Sequence, residues 1–411
     1  MKSYSYMHLG ESADSDSYVI CKYRVSTDYP MEKAAEAIAA EQSTGTWTGI
    51  STLNDTIFER YGARVTDIHG DMITVAYPEE DFSIEYGAIP QILSVIAGNL
   101  FGLDALKGVR LEDVSFPKCI TDQYKGPKFG SDGLRALLDR PEKPLVGTIV
   151  KPKIGLDPKE TASYVYEAGS GGLTNSKDDE TLVDQRFCPI EDRTKAVAES
   201  LDRLKEEGHL MLHAVNISTN GDKIVELAEK AQSWGAKQIM IDVITCGFGA
   251  VQAVAEDPSI KIPIHVHRTM HGAFTKDPLH GVSMLAVTRL VRMCGGDALH
   301  VGTMGVGKMS GNKGDYDSMN ACTNLSVPFK PMMPVCSGGM YPGIVGPLVR
   351  VAGKNIQIQA GGGVAGHPEG IRNGARGMCQ AVDAACLGID ATEYAKTHHE
   401  LKLALDKWGF K

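Results

Sequence analysis

From about residue 144 the chain falls into a rhythm: a short apolar run is followed by an amphipathic stretch, eight times over. PLVGTIVKP leads into DPKETASYVYEAG, HLMLHAVNIS into GDKIVELAEKAQSWG, and NIQIQAGGG into EGIRNGARGMCQAVDAACLG. Runs this continuously apolar suit parallel strands covered on both faces, and the stretches between them carry helical spacing. Eight such units predict a (β/α)8 (TIM) barrel, whose chemistry sits where strands end and the following loops begin. The sixth helix is weakly patterned, and one last helix is predicted over 391–409. An open doubly wound sheet competes, but no GxGxxG follows the first strand.

Residues 1–140 read differently. Strand-like Tyr18–Arg24 and Met72–Tyr77 alternate with helix-like Met31–Ser43 and Ala88–Phe101 through irregular connections, as in an α+β domain. We therefore expect an α+β domain at 1–140 and the barrel, with its closing helix, at 141–411. Lys and Arg total 42 against 51 Asp and Glu, a net charge of −9, which disfavours nucleic acid as a partner. No apolar run approaches the roughly 20 residues a membrane helix needs, and the polar N-terminus is no export signal. The nine cysteines contain no CxxC pair, so reduced thiols in a cytoplasmic protein are expected.

The strand ends carry the chemistry. The first closes on Lys151-Pro152-Lys153; if it stays extended, both ammonium groups face the barrel mouth and attract a multiply charged anion. A solvated lysine pair is the plain alternative. The second ends Lys177-Asp178-Asp179-Glu180. Two carboxylates are hard ligands of the kind Mg2+ takes, and Lys177 joins them if its neutral amine adds CO2 to become a carbamate. A surface charge run is the alternative. The fifth ends His265-Val266-His267-Arg268, which suits a zinc site, or an acid/base histidine beside a phosphate-clamping arginine. The sixth runs from His300 into a glycine-rich loop holding Lys308. The seventh and eighth end Ser337-Gly338-Gly339 and Gly361-Gly362-Gly363, turns that present backbone N–H groups to an anion.

In this order, the strings resemble the large subunit of ribulose-1,5-bisphosphate carboxylase/oxygenase (RuBisCO), over nearly the whole chain. The segment Ala40–Thr48 and the run Ala97-Gly98-Asn99 carry the likeness into the first domain. The resemblance implies a ferredoxin-like N-terminal domain on a TIM barrel, and a homodimer whose subunits share active sites, with further assembly of dimers open. It implies Mg2+ on carbamylated Lys177, Asp179 and Glu180, with the carbamate also taking a substrate proton. Lys151 and Lys153 resemble the lysines that handle protons and charge, and His267 the residue that assists enolisation. Arg268, His300 and Ser337 look like one phosphate site; Thr46, Trp47, Gly339, Gly361 and Gly362 look like the other. Lys308 resembles the loop lysine that holds CO2, and Glu41 its carboxylate partner from the facing subunit. Asn99 matches an asparagine near the metal, and Gln359 joins the substrate-binding set.

The implied reaction is carboxylation, with oxygenation, of ribulose 1,5-bisphosphate through an enediolate. The likeness is greatest to archaeal form III enzymes, which need no small subunit. Two departures stand out: Ser310 where carboxylating members usually have Glu, and a short 311–334 stretch that abbreviates the sixth helix. A RuBisCO-like enolase or isomerase, and a non-catalytic sugar-phosphate-binding or assembly protein, are the alternative readings.

Overall fold

The structure, a computed structural model, describes residues 4–307 and 313–410. In chain order the first strands are β1 (Tyr18–Ser26), β2 (Arg64–His69), β3 (Met72–Pro78) and β4 (Gly108–Ser115). Then come β5 (Leu145–Ile149), β6 (Asn175–Lys177), β7 (Leu212–Asn216), β8 (Gln238–Asp242) and β9 (Ile264–His267). The last are β10 (Gly281–Val282), β11 (Ala298–Gly302), β12 (Met333–Ser337) and β13 (Gln357–Gln359).

Two compact units emerge: Met1–Lys125 with Met270–Met293, and Gly126–Thr269 with Cys294–Lys411. In the first, β1 buries every second residue (Val19, Cys21, Tyr23, Val25), so one face of its sheet meets the core. The sheet runs β10-β4-β1-β3-β2, with β1–β4 paired antiparallel among themselves. Helices Met31–Glu41 and Ala88–Ile96 supply the crossovers of a βαββαβ, ferredoxin-like arrangement. Met270–Met293 joins this unit through paired contacts. β10 lies parallel to β4, Arg110 Nη1 donates to the Asp277 carbonyl at 2.7 Å, and Arg289 grips Asp113 with two nitrogens. Sequence pattern alone had grouped that segment with the barrel.

In the second unit eight parallel strands close in the order β11-β12-β13-β5-β6-β7-β8-β9. Every residue of β7, β8 and β11 is buried, as strands with both faces covered must be. Helix Pro158–Ser170 starts on a capping box: Asp157 accepts from the Glu160 N–H at 2.8 Å, and the Glu160 carboxylate accepts from the Asp157 N–H at 2.9 Å. Helix Gly130–Leu138 contributes Leu134 and Leu138 to a buried cluster with Leu145, Leu212, Ala298, Met333 and Val335. Leu145, Leu212, Ala298 and Met333 begin their strands, so the N-terminal end of the barrel is plugged by hydrocarbon. Each fully buried leucine there contributes about 1.5–3 kcal/mol of transfer free energy.

The sixth helix spans the 11 residues Lys313–Thr323, tied to the loop before it because Asp315 accepts from the Thr303 and Met304 N–H groups. One detail departs from the sequence reading. The closing helix breaks into Ala391–Tyr394 and His399–Trp408, because Thr397 and His398 side chains both bond to the Tyr394 carbonyl and compete with helical pairing. No helix among the described residues is long and apolar enough to cross a membrane.

Candidate active site

At the end of the barrel opposite the hydrocarbon plug, the strand ends turn polar. β5 stops at Ile149 and residues 151–154 bend away, so the expected extension through Lys153 does not occur. Pro152 has no N–H with which to continue the ladder. The bend still brings both lysines to one place. Lys151 Nζ lies 2.7 Å from Asp179 Oδ2, and Lys153 Nζ lies 3.6 Å from Glu180 Oε1 and 3.9 Å from Asp179 Oδ1. Gly361 permits this packing: a Cβ there would come within 3.0 Å of Lys151 Cε.

Lys177 ends β6 almost fully buried, its Nζ 2.9 Å from the Asp178 carbonyl and 3.4 Å from Glu180 Oε2. Burial pulls its amine below the ordinary lysine pKa, against the opposing pull of Glu180, Asp179 and Asp242. Glu180 behaves in the opposite sense. Burial would raise it, but Lys177, His267 and Lys153 outweigh that and hold the carboxyl at about 2.

Asp178, which the sequence reading passed over, supports this corner from behind. Its carboxylate is wholly buried; it accepts from Arg193 Nε at 3.1 Å and from the Asn216 N–H at 3.0 Å, has Arg193 Nη2 as an ion-pair contact at 3.1 Å, and pairs with His213 Nε2 at 3.2 Å. Burial pushes its pKa up, yet Arg193 and His213 prevail and keep it well below the usual carboxylate range. Asn216 adds bonds from Nδ2 to the carbonyls of Asp179 at 3.3 Å and Glu180 at 3.2 Å, fixing the bend that aims both carboxylates.

The histidines of β9 go separate ways. His267 Nδ1 meets Asp242 Oδ1 at 2.8 Å, which places the ring proton on Nδ1 and leaves the Nε2 lone pair 3.8 Å from Glu180 Oε2. Burial, then Lys177, lowers the His267 pKa against the pull of Asp242. His265 Nε2 instead meets His300 Nε2 at 2.8 Å, and His300 Nδ1 meets Ser337 Oγ at 2.6 Å. With its two rings holding different partners, the pair does not form the zinc site that HxH alone suits. Arg268 is buried enough that its pKa falls to about 10, with Asp315 the carboxylate opposing that shift.

A divalent cation fits this corner. Asp179 and Glu180 offer hard oxygens that already face three ammonium groups. No three His, Cys, Asp or Glu side chains converge as a metal site among the described residues. Lys177 lies beside these two carboxylates, and burial shifts it toward the neutral amine.

The other expected residues divide by place. Gln359 is buried in the barrel wall with its amide engaged, Nε2 donating to the Thr148 carbonyl and Oε1 accepting from Gln357. Gly339 is exposed with φ +73°, and Gly362 begins the short helix Gly362–Ala365. Glu41, Thr46, Trp47 and Asn99 belong to the first unit, where Asn99 Nδ2 donates to Glu41 Oε1 at 3.4 Å and Trp47 is 92% exposed. Lys308 and Ser310 lie outside the described residues. Asp178, Asn216 and Asp242 were missed, although Asn216 and Asp242 are polar residues ending largely apolar strands.

Comparison with known proteins gives one result throughout. Residues 130–408 match the family described as ribulose bisphosphate carboxylase large chain, catalytic domain, and residues 6–120 match its N-terminal domain. The ribulose bisphosphate carboxylase of Methanocaldococcus jannaschii is 41% identical, over 92% of this chain and 94% of that protein. That of Thermococcus kodakarensis is 37% identical, over 98% and 96%. Among solved structures, the octameric enzyme of Pyrococcus horikoshii OT3 aligns with a TM-score of 0.92 at 37% identity, covering 98% of this chain and 96% of that one. The dimeric archaeal Rubisco of Hyperthermus butylicus aligns with 0.88 at 37% identity, covering 99% of each.

Proposed function

The chain belongs to the ribulose bisphosphate carboxylase large-chain family, and from that premise we propose that it carboxylates ribulose 1,5-bisphosphate to two molecules of 3-phosphoglycerate, with oxygenation as the competing reaction. The observation that carries this reading is the cluster of Lys151, Lys153 and Lys177 around Asp179 and Glu180 at the barrel mouth. Mg2+, held by Asp179, Glu180 and the carbamate of Lys177, would supply positive charge against the oxyanion that forms on the substrate.

The chain's own groups do the rest. The Lys177 amine adds CO2 and loses a proton, and its carbamate oxygen then takes the proton from C3, giving the enediolate. His267, its proton held on Nδ1 by Asp242, presents a lone pair at Nε2 to receive a proton during enolisation and hydration. Lys151 delivers the last proton at C2, and Lys153 offsets charge beside it. Arg268, His300 and Ser337 hold one phosphate; Thr46, Trp47, Gly339, Gly361 and Gly362 hold the other, and Gln359 lines the site from the wall. Lys308 holds the incoming CO2 with Glu41 as its partner, and Asn99 sits near the metal.

The residues of the first unit reach this site from a second subunit in the proposed homodimer. An indole as exposed as that of Trp47 is the kind of surface a partner covers. The two solved structures named above are octameric and dimeric, so assembly of dimers beyond the pair is open to this chain. No small subunit is required in this proposal, and a cytoplasmic setting suits nine free cysteines. The test is product analysis: protein preincubated with Mg2+ and labelled bicarbonate, then given ribulose 1,5-bisphosphate, should yield labelled 3-phosphoglycerate. Consumption of the sugar without fixation would point to an enolase or isomerase, and an intact sugar to a binding protein.

A further inference from the structure

The His265–His300 contact sets a proton-placement problem with one economical solution. Two imidazole nitrogens 2.8 Å apart must share one proton between them, one donating and the other accepting. Both rings are neutral: burial foremost pushes each well below the ordinary histidine pKa. His265 is 1% exposed, and its other nitrogen, Nδ1, has no hydrogen-bond partner. A proton on Nδ1 would strand a donor in the barrel interior, whereas a proton on Nε2 strands only a lone pair. Orphaned buried N–H groups are the rarer and costlier case.

We infer that His265 is a positioning residue that donates from Nε2 to His300, forces the single proton of His300 onto Nδ1, and so leaves the Ser337 hydroxyl as the donor to substrate phosphate. The rest follows from the distances. His300 Nδ1–H donates to Ser337 Oγ at 2.6 Å, so both His300 nitrogens are engaged within the protein and neither offers an N–H to a phosphate. The Ser337 proton cannot point back at His300. Half-buried at the end of β12 and followed by Gly338 and Gly339, the hydroxyl is free to turn its proton to the mouth. This inference rests on the proposed phosphate role of Arg268 and Ser337, and it makes the part of His300 at that phosphate an indirect one, holding the serine proton outward.

Neutron diffraction from deuterated crystals of the wild-type protein reads the proton positions directly. Deuterium on His265 Nε2 and His300 Nδ1 is expected; deuterium on His265 Nδ1 would overturn the inference, whatever the substrate proves to be. Kinetics give the second arm. His265→Glu puts an acceptor where the donor was, draws the His300 proton onto Nε2 and turns the serine proton inward, so KM for ribulose 1,5-bisphosphate should rise about 10- to 100-fold with kcat changed less than about threefold. His265→Gln, which can still donate from its amide, should keep KM within about threefold of wild type. An unchanged KM in His265→Glu, or a fall in kcat alone, would refute the positioning role. If the wild-type protein does not act on the bisphosphate at all, the functional proposal fails while the neutron result still decides the proton placement.

Discussion

Replacing Asp178 with Asn keeps the side chain's shape but removes one charge from a wholly buried ion pair and turns one accepting oxygen into a donor. The partner, Arg193, is itself 0% exposed, so its guanidinium would be left without the carboxylate that Nε and Nη2 contact at 3.1 Å. Breaking one side of such a pair costs about 3–5 kcal/mol, because the remaining charge stays buried and uncompensated. The barrel unit contains roughly 260 residues, and unfolding entropy near 60 °C is about 2.1 cal/mol/K per residue, so the loss translates into a Tm lower by about 5–10 °C. Differential scanning calorimetry at fixed protein concentration reads this directly. The double variant Asp178→Leu/Arg193→Met, which removes both charges, should recover most of the loss. The linkage has a definite sign. The folded pKa of Asp178 is depressed, so its stabilisation is full above the unfolded value near 3.9 and is lost as pH falls from there through the folded value. The Asn variant should therefore lose less stability than wild type on acidification across that window. A Tm within about 1 °C of wild type, or a double variant no better than the single, would show that Arg193 is solvated or repaired in some other way.

Four further outcomes are expected. Lys177→Ala should abolish CO2 fixation together with Mg2+-dependent activation; a variant that still fixes CO2 at a normal rate would remove Lys177 from the metal site. Burial favours the neutral Lys177 amine, so activation by CO2 should reach half its limiting rate below about pH 10.4, and a midpoint at the free-lysine value would contradict that environment. Asp242→Asn should lower kcat about 10- to 100-fold with little change in KM, since the amide no longer fixes the His267 proton; a KM effect alone would assign Asp242 to binding. Lys308→Ala should stop carboxylation while proton exchange at C3 of the substrate continues, as followed by loss of label from that carbon, and equal loss of both would make the loop lysine a binding group only.

Much of this was legible because the barrel writes its active end at fixed places in the sequence. The ends of β6, β9 and β11 could be located before any coordinates: Lys177 and His267 close their strands, and His300 stands two residues before the end of β11. What pattern could not reach has two causes. Alternation tells which face a residue takes only while the chain stays extended, and it failed after Ile149, where Lys151 and Lys153 meet Asp179 and Glu180 through a bend. It also directs attention to residues aimed at the mouth. Asp178 points the other way, to Arg193 and His213, which are 15 and 35 residues further along the chain. Pairings of that separation leave no periodic trace. The same holds for Met270–Met293, whose partners Arg110 and Asp113 lie in the first unit.

The plug of leucines and methionine at the base of the barrel has a consequence for anyone who wishes to alter this protein. Cohesion is concentrated at one opening of the cylinder and reactivity at the other. A new substrate preference can therefore be sought among the rim loops with little risk to assembly of the scaffold, provided the Asp178–Arg193 pair beneath Lys177 is left alone. There the two concerns meet.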